Sequence, residues 1–525
     1  MLPLKPGLPQ HLVAKLIFIC MLAFTVFYLT TTCTKLPSTT NRPSTFAISN
    51  PEITQLGMIF ENTNPKNSEK SGFSIVHNCQ DAFANRIGLT ALAEKTLDIQ
   101  YYVWENDTSG NVLAEHVLRA AERGVRVRIL IDGLNFADRD KLAASFAVHE
   151  NIEIRVFNPA LNRFVRTLEY AVDFNRLNKR MHNKLMVMDN ACAIIGGRNI
   201  ADNYFGLHSD TNMRDLDIVA AGPIVQEASS TFDEFWNSQA AVAIEKIIEE
   251  PVDQQDYLEV VAKLHKAVSE TPFPYPIDLD TSTLRERIQE IANSMIWAKA
   301  EIFYDSVASM DNSDEGPTVY AQLQQELLAA QKSVLIESAY FVMREDGIEL
   351  AKLYKNKGVD VRVLTNSLAS NDVTAAQASY KETSDNLLRE GFNIFEFRPD
   401  AADLRENVAD IAKQASTTLH TKALVIDRKR TFVGSYNLDP RSAKINSEIG
   451  LFIESEPFAE QICQFLDSGV LPQNAYHLTL DSNGKRQWST TINGQRETWD
   501  TDPSTSALKR FKSDILEILP IDGQF

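Results

Sequence analysis

The chain has 525 residues, with 52 Lys+Arg against 70 Asp+Glu for a formal charge of −18, and 44% hydrophobic and 23% charged residues. That composition is globular, long enough for two or more core-forming units, and too acidic for a protein that coats nucleic acid. Five cysteines (Cys20, Cys33, Cys79, Cys192, Cys463) lie far apart without CxxC spacing, which excludes a zinc ribbon and a dense disulfide framework.

Behind Lys5 and Lys15, Leu16–Leu29 (LIFICMLAFTVFYL) runs 14 residues without a charge. A transmembrane helix needs roughly 20 apolar residues, so this length suits a signal-peptide core, or a short anchor if it extends through Thr30–Thr32. Cys33 then opens a polar Thr/Ser/Pro stretch that reads as a tether. A hydrophobic segment ending at a cysteine resembles a bacterial lipoprotein signal, except that Thr32 stands where Gly or Ala is usual. A lipidated Cys33 and an uncleaved anchor both place the body at a membrane. Residues 1–33 are therefore assigned to the signal or anchor and 34–60 to the tether.

The body repeats itself. Lys95–Trp104 (KTLDIQYYVW) and Lys332–Phe341 (KSVLIESAYF) read as buried strands 237 positions apart. A helix ending at Gly124 leads to the strand Val125–Ile131, and Gly358 leads in the same way to Val359–Leu364. Strand–helix–strand units of this kind predict an α/β fold of two similar lobes, each a mostly parallel sheet flanked by helices. The Pro-rich Thr271–Pro276 and the polar Ser309–Pro317 bracket the boundary, giving lobes at 61–300 and 301–525. Two like lobes predict a pseudo-twofold arrangement with one site between them.

The sharpest signal is Met181–Asp189 (MHNKLMVMD) followed by Ile194–Asn199 (IIGGRN), repeated from His420 as HTKALVID and then FVGSYN at Phe432–Asn437. Each copy has a Lys two residues after the His, an Asp seven after it and an Asn seventeen after it. The sets are His182, Lys184, Asp189, Asn199 and His420, Lys422, Asp427, Asn437. Residues two apart in a strand share a face, so each His and Lys point together. Asp189 and Asp427, at an odd separation, are assigned a structural role at the strand end.

Two Lys and two Asn without a carboxylate nucleophile suit a tetrahedral phosphate. Two His can then serve as nucleophile and general acid, through a phosphohistidine. Glu448 in NSEIG, and Asp215 in RDLD as its counterpart, are read as carboxylates that orient the imidazoles, with Asp217 competing in the first copy. No HExxH or His/Cys cluster is present, so neither metal nor cofactor is expected.

These motifs match the duplicated HxKxxxxD pattern of the phospholipase D superfamily, and the chain resembles its bacterial cardiolipin synthase branch from about Ser71 onward. The likeness includes LDIQYYVW, GGRNIADNYFG, LTNSLASNDV, GSYNLDPRS and LPIDGQF. It implies transfer of a phosphatidyl group, held on a His, to phosphatidylglycerol, with a second phospholipid such as phosphatidylethanolamine as a possible donor. The family usually assigns the N-terminal His, here His182, as nucleophile and the other, His420, as acid/base; the sequence does not distinguish them. One departure is Gln377-Ala378-Ser379-Tyr380, where the family commonly carries a His before Ala-Gly-Tyr, so another alcohol or water is an alternative acceptor.

The C-terminal Ala507–Leu519 places Leu508, Phe511, Ile515 and Leu519 on one helical face beside Lys509, Arg510 and Lys512. It reads as a basic amphipathic helix, either on anionic lipid or packed on the body. The functions weighed are a membrane phosphatidyltransferase with its body on the periplasmic side, a hydrolytic phospholipase D releasing phosphatidic acid, and a nuclease-type phosphodiesterase, which the acidic charge and anchor disfavour. Nucleic acid is not an expected partner, and the oligomeric state is not legible.

Overall fold

The computed structural model describes residues 36–37 and 42–510, apart from 66–68, 135, 137–138, 162–168, 170–172, 272, 276–279, 312–314, 372–373, 403–407 and 507–508. The proposed signal or anchor at 1–33, with Cys33, lies outside the described residues, as does the C-terminal helix apart from Lys509 and Arg510. No helix among the described residues is long and apolar enough to cross a membrane.

The first lobe contains β1 (Ser71–Val76), β2 (Thr96–Tyr101), β3 (Arg126–Asp132), β4 (Ile152–Phe157), β5 (Leu185–Met188), β6 (Cys192–Gly196), β7 (Thr211–Arg214), β8 (Asp217–Ala221) and β9 (Ala241–Ala243). The second contains β10 (Ile296–Tyr304), β11 (Ser333–Ser338), β12 (Asp360–Asn366), β13 (Asn393–Phe397), β14 (Ser416–Leu419), β15 (Lys422–Ile426), β16 (Arg430–Gly434), β17 (Ile449–Glu454), β18 (Ala475–Leu480), β19 (Arg486–Ile492) and β20 (Gln495–Trp499). In space the first lobe runs β9-β4-β3-β2-β5-β6-β8-β1. The second repeats that order as β18-β13-β12-β11-β15-β16-β17-β10, with β19 and β20 added outside β18.

The expected mostly parallel sheet is corrected here. Parallel pairing in the large sheets is confined to β2-β3-β4 and β11-β12-β13, and the other pairs are antiparallel. The reason lies in the connections. Helical crossovers such as Thr108–Glu122 return the chain parallel, whereas a two-residue turn can only reverse it. Asp189–Asn190 and Asp427–Arg428 make those reversals with positive φ at both residues (55° and 50°, 56° and 54°).

A second correction concerns the lobe boundary. β10 pairs with β1 through Ile296–Ala298 and with β17 through Lys299–Tyr304, so residues 300 and 301 lie inside one strand that joins the two sheets. Between the sheets, the helices Pro223–Asn237 and Glu456–Gly469 share a core with residues of both lobes, among them Leu185, Ile218, Phe232, Val433, Leu451 and Phe458.

The 34–60 tether also departs from expectation. Residues from Arg42 onward dock on the first lobe: Arg42 donates to the Ser238 carbonyl at 2.9 Å and Trp236 Nε1 to Thr45 Oγ1 at 2.9 Å. The helix Gln55–Thr63, capped by Thr54, buries Leu56, Ile59 and Phe60 in the first-lobe core. Its polar neighbours masked this apolar stripe in the sequence.

Candidate active site

His182 and His420 occupy the extended residues just before β5 and β15, beside the C-terminal ends of the parallel strands. In α/β sheets that edge is where ligands collect. Each His is brought to its acid by a strand contact between lobes. Met181 bridges Ser447, and the His182 N–H donates to the Ser447 carbonyl at 2.9 Å, which sets His182 beside Glu448. β7 and β14 run parallel, pairing Arg214 with Leu419. The His420 and Thr421 N–H groups donate to the Arg214 carbonyl at 2.8 and 3.1 Å, which sets His420 beside Asp215.

The acids are therefore crossed. His182 Nδ1 lies 2.9 and 3.0 Å from the Glu448 oxygens, and His420 Nδ1 lies 2.6 Å from Asp215 Oδ2. With each Nδ1–H donated to a carboxylate, the Nε2 lone pair is directed away for nucleophilic or proton-transfer work. Asp217, the competing acid, is spent elsewhere: it pairs with Arg86 at 3.0 Å and Arg198 at 3.3 Å.

Both lysines are buried, and each Nζ donates to the carbonyl of its own His, at 2.6 Å for Lys184. Burial lowers the Lys184 pKa to about 7, with Lys422 pushing the same way and Glu448 opposing. Burial likewise holds His182 at about 4, outweighing the pull of Glu448. Burial pushes the Glu448 carboxyl up, but His182, Lys184 and the Ser435 hydroxyl outweigh it and hold Glu448 below its usual value. This half thus presents a neutral imidazole against an ionised carboxylate. Asp215 is raised by burial, against Lys422 and Arg198.

The asparagines differ. Asn199 Oδ1 accepts the Val103 N–H at 3.2 Å and its Nδ2 donates to the Tyr204 hydroxyl at 2.8 Å. Asn437 is 4% exposed and its Oδ1, an acceptor, meets no partner among the described residues. Asp189 accepts the N–H groups of Glu94, Lys95 and Thr96 at 2.7–3.2 Å, and Asp427 those of Gln331, Lys332 and Ser333 at 2.7–3.2 Å. Each pins the entry of β2 or β11 and touches no histidine in this set of bonds.

Sequence reasoning missed several supports. The Tyr102 and Tyr204 rings stand edge-on to His182 and His420, each 5.0 Å between centroids. Asp305, buried at the end of β10, accepts the Glu448 N–H at 2.7 Å. Ser435 donates to Glu448 and accepts the Ile449 N–H. Its counterpart Gly197 has no room for a side chain, since a Cβ there would lie 2.1 Å from Asp215 Oδ1. Gln377 is buried, accepts from Asn371 Nδ2 at 2.9 Å, and its own Nε2 finds no partner among the described residues. The GGRN and GSYN difference was visible in the sequence; Tyr102 and Tyr204 have no tyrosine at the repeat offset and carried no spacing signal. No group of three or more metal-ligating side chains occurs among the described residues.

The family model described as "Cardiolipin synthase, PLD-like domain" matches residues 88–236 and 323–468. Cardiolipin synthase C of Escherichia coli (strain K12) is 34% identical over 448 residues, covering 84% of this chain and 93% of that protein. An uncharacterized protein of Helicobacter pylori (strain J99) is 32% identical, with 90% and 94% covered. Among solved structures, the phosphatidylserine synthase of Haemophilus influenzae Rd KW20 superposes with a TM-score of 0.52 at 13% identity, covering 88% of this chain and 96% of that one, which is a likeness of fold. Two matched segments on a duplicated fold, with a relative this similar over nearly its whole length, place the chain in the cardiolipin synthase-like branch of the phospholipase D superfamily, as an enzyme of that branch.

Proposed function

We propose that this enzyme moves a phosphatidyl group from one phospholipid to phosphatidylglycerol, forming cardiolipin through a phosphohistidine. The crossed His–carboxylate pairs carry the mechanism, because they put two oriented imidazoles from different lobes beside two buried lysines. His182, neutral and backed by Glu448, attacks phosphorus through Nε2. The bond to the leaving oxygen breaks, and His420 supplies the proton that oxygen needs. His420 then takes the proton of the acceptor hydroxyl, the new O–P bond forms, and the P–N bond to His182 breaks. Lys184, Lys422 and the Asn437 side-chain N–H hold the phosphate oxygens, where positive charge and donors act with little screening.

The substrate class rests on likeness to cardiolipin synthase C. The polar-rimmed 14-residue apolar segment near the N-terminus supports a membrane location, with Cys33 as a candidate lipidation site and the body on the periplasmic side. The test incubates purified protein with phosphatidylglycerol, with and without phosphatidylethanolamine, and resolves the lipids by mass. Cardiolipin is expected. Phosphatidic acid alone would make the protein a hydrolytic phospholipase D, and no lipid product from either mixture would overturn the reading.

A further inference from the structure

An apolar groove of about 480 Å³ opens on the second lobe between the helices Val319–Leu328 and Glu345–Lys357. One wall is the motif loop itself, through Tyr436, Leu438 and Asp439, the residues that flank and follow Asn437. The opposite side is Leu323, Leu327, Met343, Leu350 and Leu353. The loop is fixed against β11: Leu438 bridges Phe341, its N–H donates to Ser338 Oγ at 3.1 Å, and its carbonyl accepts the Val342 N–H at 2.7 Å. Burial pushes the Asp439 carboxyl up to about 6, with Glu448 and Lys422 acting on it in opposite senses, so groove wall and histidine cluster share one electrostatic neighbourhood.

The lining bears on the occupant. A groove of this volume and character takes an extended hydrocarbon or a drug-sized apolar body. At its rim Arg344 and Lys444 are exposed and have no ion-pair partner among the described residues, in a chain whose net charge is −18. Two carboxylates share that rim: Asp346 accepts the Tyr320 hydroxyl at 2.8 Å, and Glu349 is exposed. Resting on the phosphatidyltransferase reading, we propose that this groove is the seat of the acceptor lipid, with one acyl chain along the leucines and the acceptor's own unreacting phosphate at Arg344 and Lys444. That placement leads the head-group hydroxyl past Asn437 to the phosphohistidine, where it competes with water.

Two readouts test this, both on the partition of one intermediate. With a fixed donor, dioctanoyl phosphatidylglycerol should be used roughly 16-fold better than the dihexanoyl lipid below their micelle concentrations, since the seated chain gains two methylenes and each is worth about a 4-fold change. Leu353→Trp, which fills the groove, should reduce that preference to under about 3-fold. Leu328→Trp, at a position 47% exposed, serves the same purpose where folding is a concern. The Arg344→Glu/Lys444→Glu pair should lower the ratio of cardiolipin to phosphatidic acid about 3- to 10-fold while donor consumption holds, as expected for two exposed charge contacts. An acceptor lipid with a photoreactive chain end should label peptides containing Leu323–Leu328 or Met343–Leu353. Unchanged chain-length preference and product ratio in these variants, or labelling elsewhere, would overturn the groove assignment. Absence of both lipid products in the wild type would instead strike the phosphatidyltransferase reading itself.

Discussion

The two halves of the site share their reacting groups and differ in nearly everything around them. His182 and His420 both meet a carboxylate from the other lobe, and both have a lysine bonded to their own carbonyl. Behind Glu448 stand Ser435 and Asp305, which add a hydroxyl and a second buried acid. Behind Asp215 stand Gly197 and Arg198, whose guanidinium donates to the Asp215 carbonyl at 2.7 Å. Both aromatic walls, Tyr102 and Tyr204, come from the first lobe; at the matching places in the second, 237 and 238 positions on, are Ala339 and Ser442. The duplicated fold supplies the same His, Lys and carboxylate set twice, in unlike surroundings. Both rings that flank the histidines thus come from the first lobe.

The comparison breaks most severely at the histidines. His182→Ala should abolish both turnover and any phosphoenzyme, a loss of the order of 10⁶-fold as for other covalent nucleophiles. His420→Asn should cost about 10²–10⁴-fold, and markedly less with a substrate whose leaving group needs no proton. Trapping the adduct and mapping the peptide decides the assignment: phosphate on His420 would exchange the two roles.

Next come the crossed acids. Glu448→Gln and Asp215→Asn should each lower turnover about 10- to 100-fold. Nitrogen-15 spectra of the ring nitrogens should show Glu448→Gln perturbing His182 with His420 little changed, and Asp215→Asn doing the reverse. Perturbation within the same lobe would contradict the crossing.

A smaller effect follows from Lys184. Its pKa of about 7, down from an ordinary lysine value through burial, means the free site gains this positive charge as pH falls through 7 and loses it as pH rises. An anionic phosphate analogue should restore the charge, so binding at pH 8 should take up a proton and affinity should fall by at most about 10-fold per pH unit above 7. Calorimetry in buffers of different ionisation enthalpy measures that uptake; none at pH 8 would mean that Lys184 stays charged. The smallest activity effect is expected at the motif aspartates. Asp189→Ala should cost about 2–3 kcal/mol of stability and the less buried Asp427→Ala about 1 kcal/mol, because backbone N–H groups lose their acceptor. Equal losses would show that burial does not separate them.

The repeat, its parallel strands and the His, Lys and Asn pattern were legible because they recur at near-constant offsets along the chain. The crossing was not. Glu448 lies 266 residues from His182, and Asp215 lies 205 residues from His420, so only the docking of β7 on β14 and of Met181 on Ser447 decides the partners. Local spacing likewise could not reveal that Thr45 is held by Trp236 and Arg128, or that the strand pairs outside β2-β3-β4 and β11-β12-β13 in the large sheets are antiparallel.

Strand β10 makes the molecule mechanically indivisible. Cutting the chain between residues 300 and 301 would leave each piece with half a strand and a raw sheet edge, the kind of surface that recruits other chains into aggregates. Each fragment would also strand one buried carboxylate without its imidazole. The two repeats share this one strand, so melting of one lobe would expose the other's edge. The halves are therefore products of repetition that can no longer be returned to independence by scission alone.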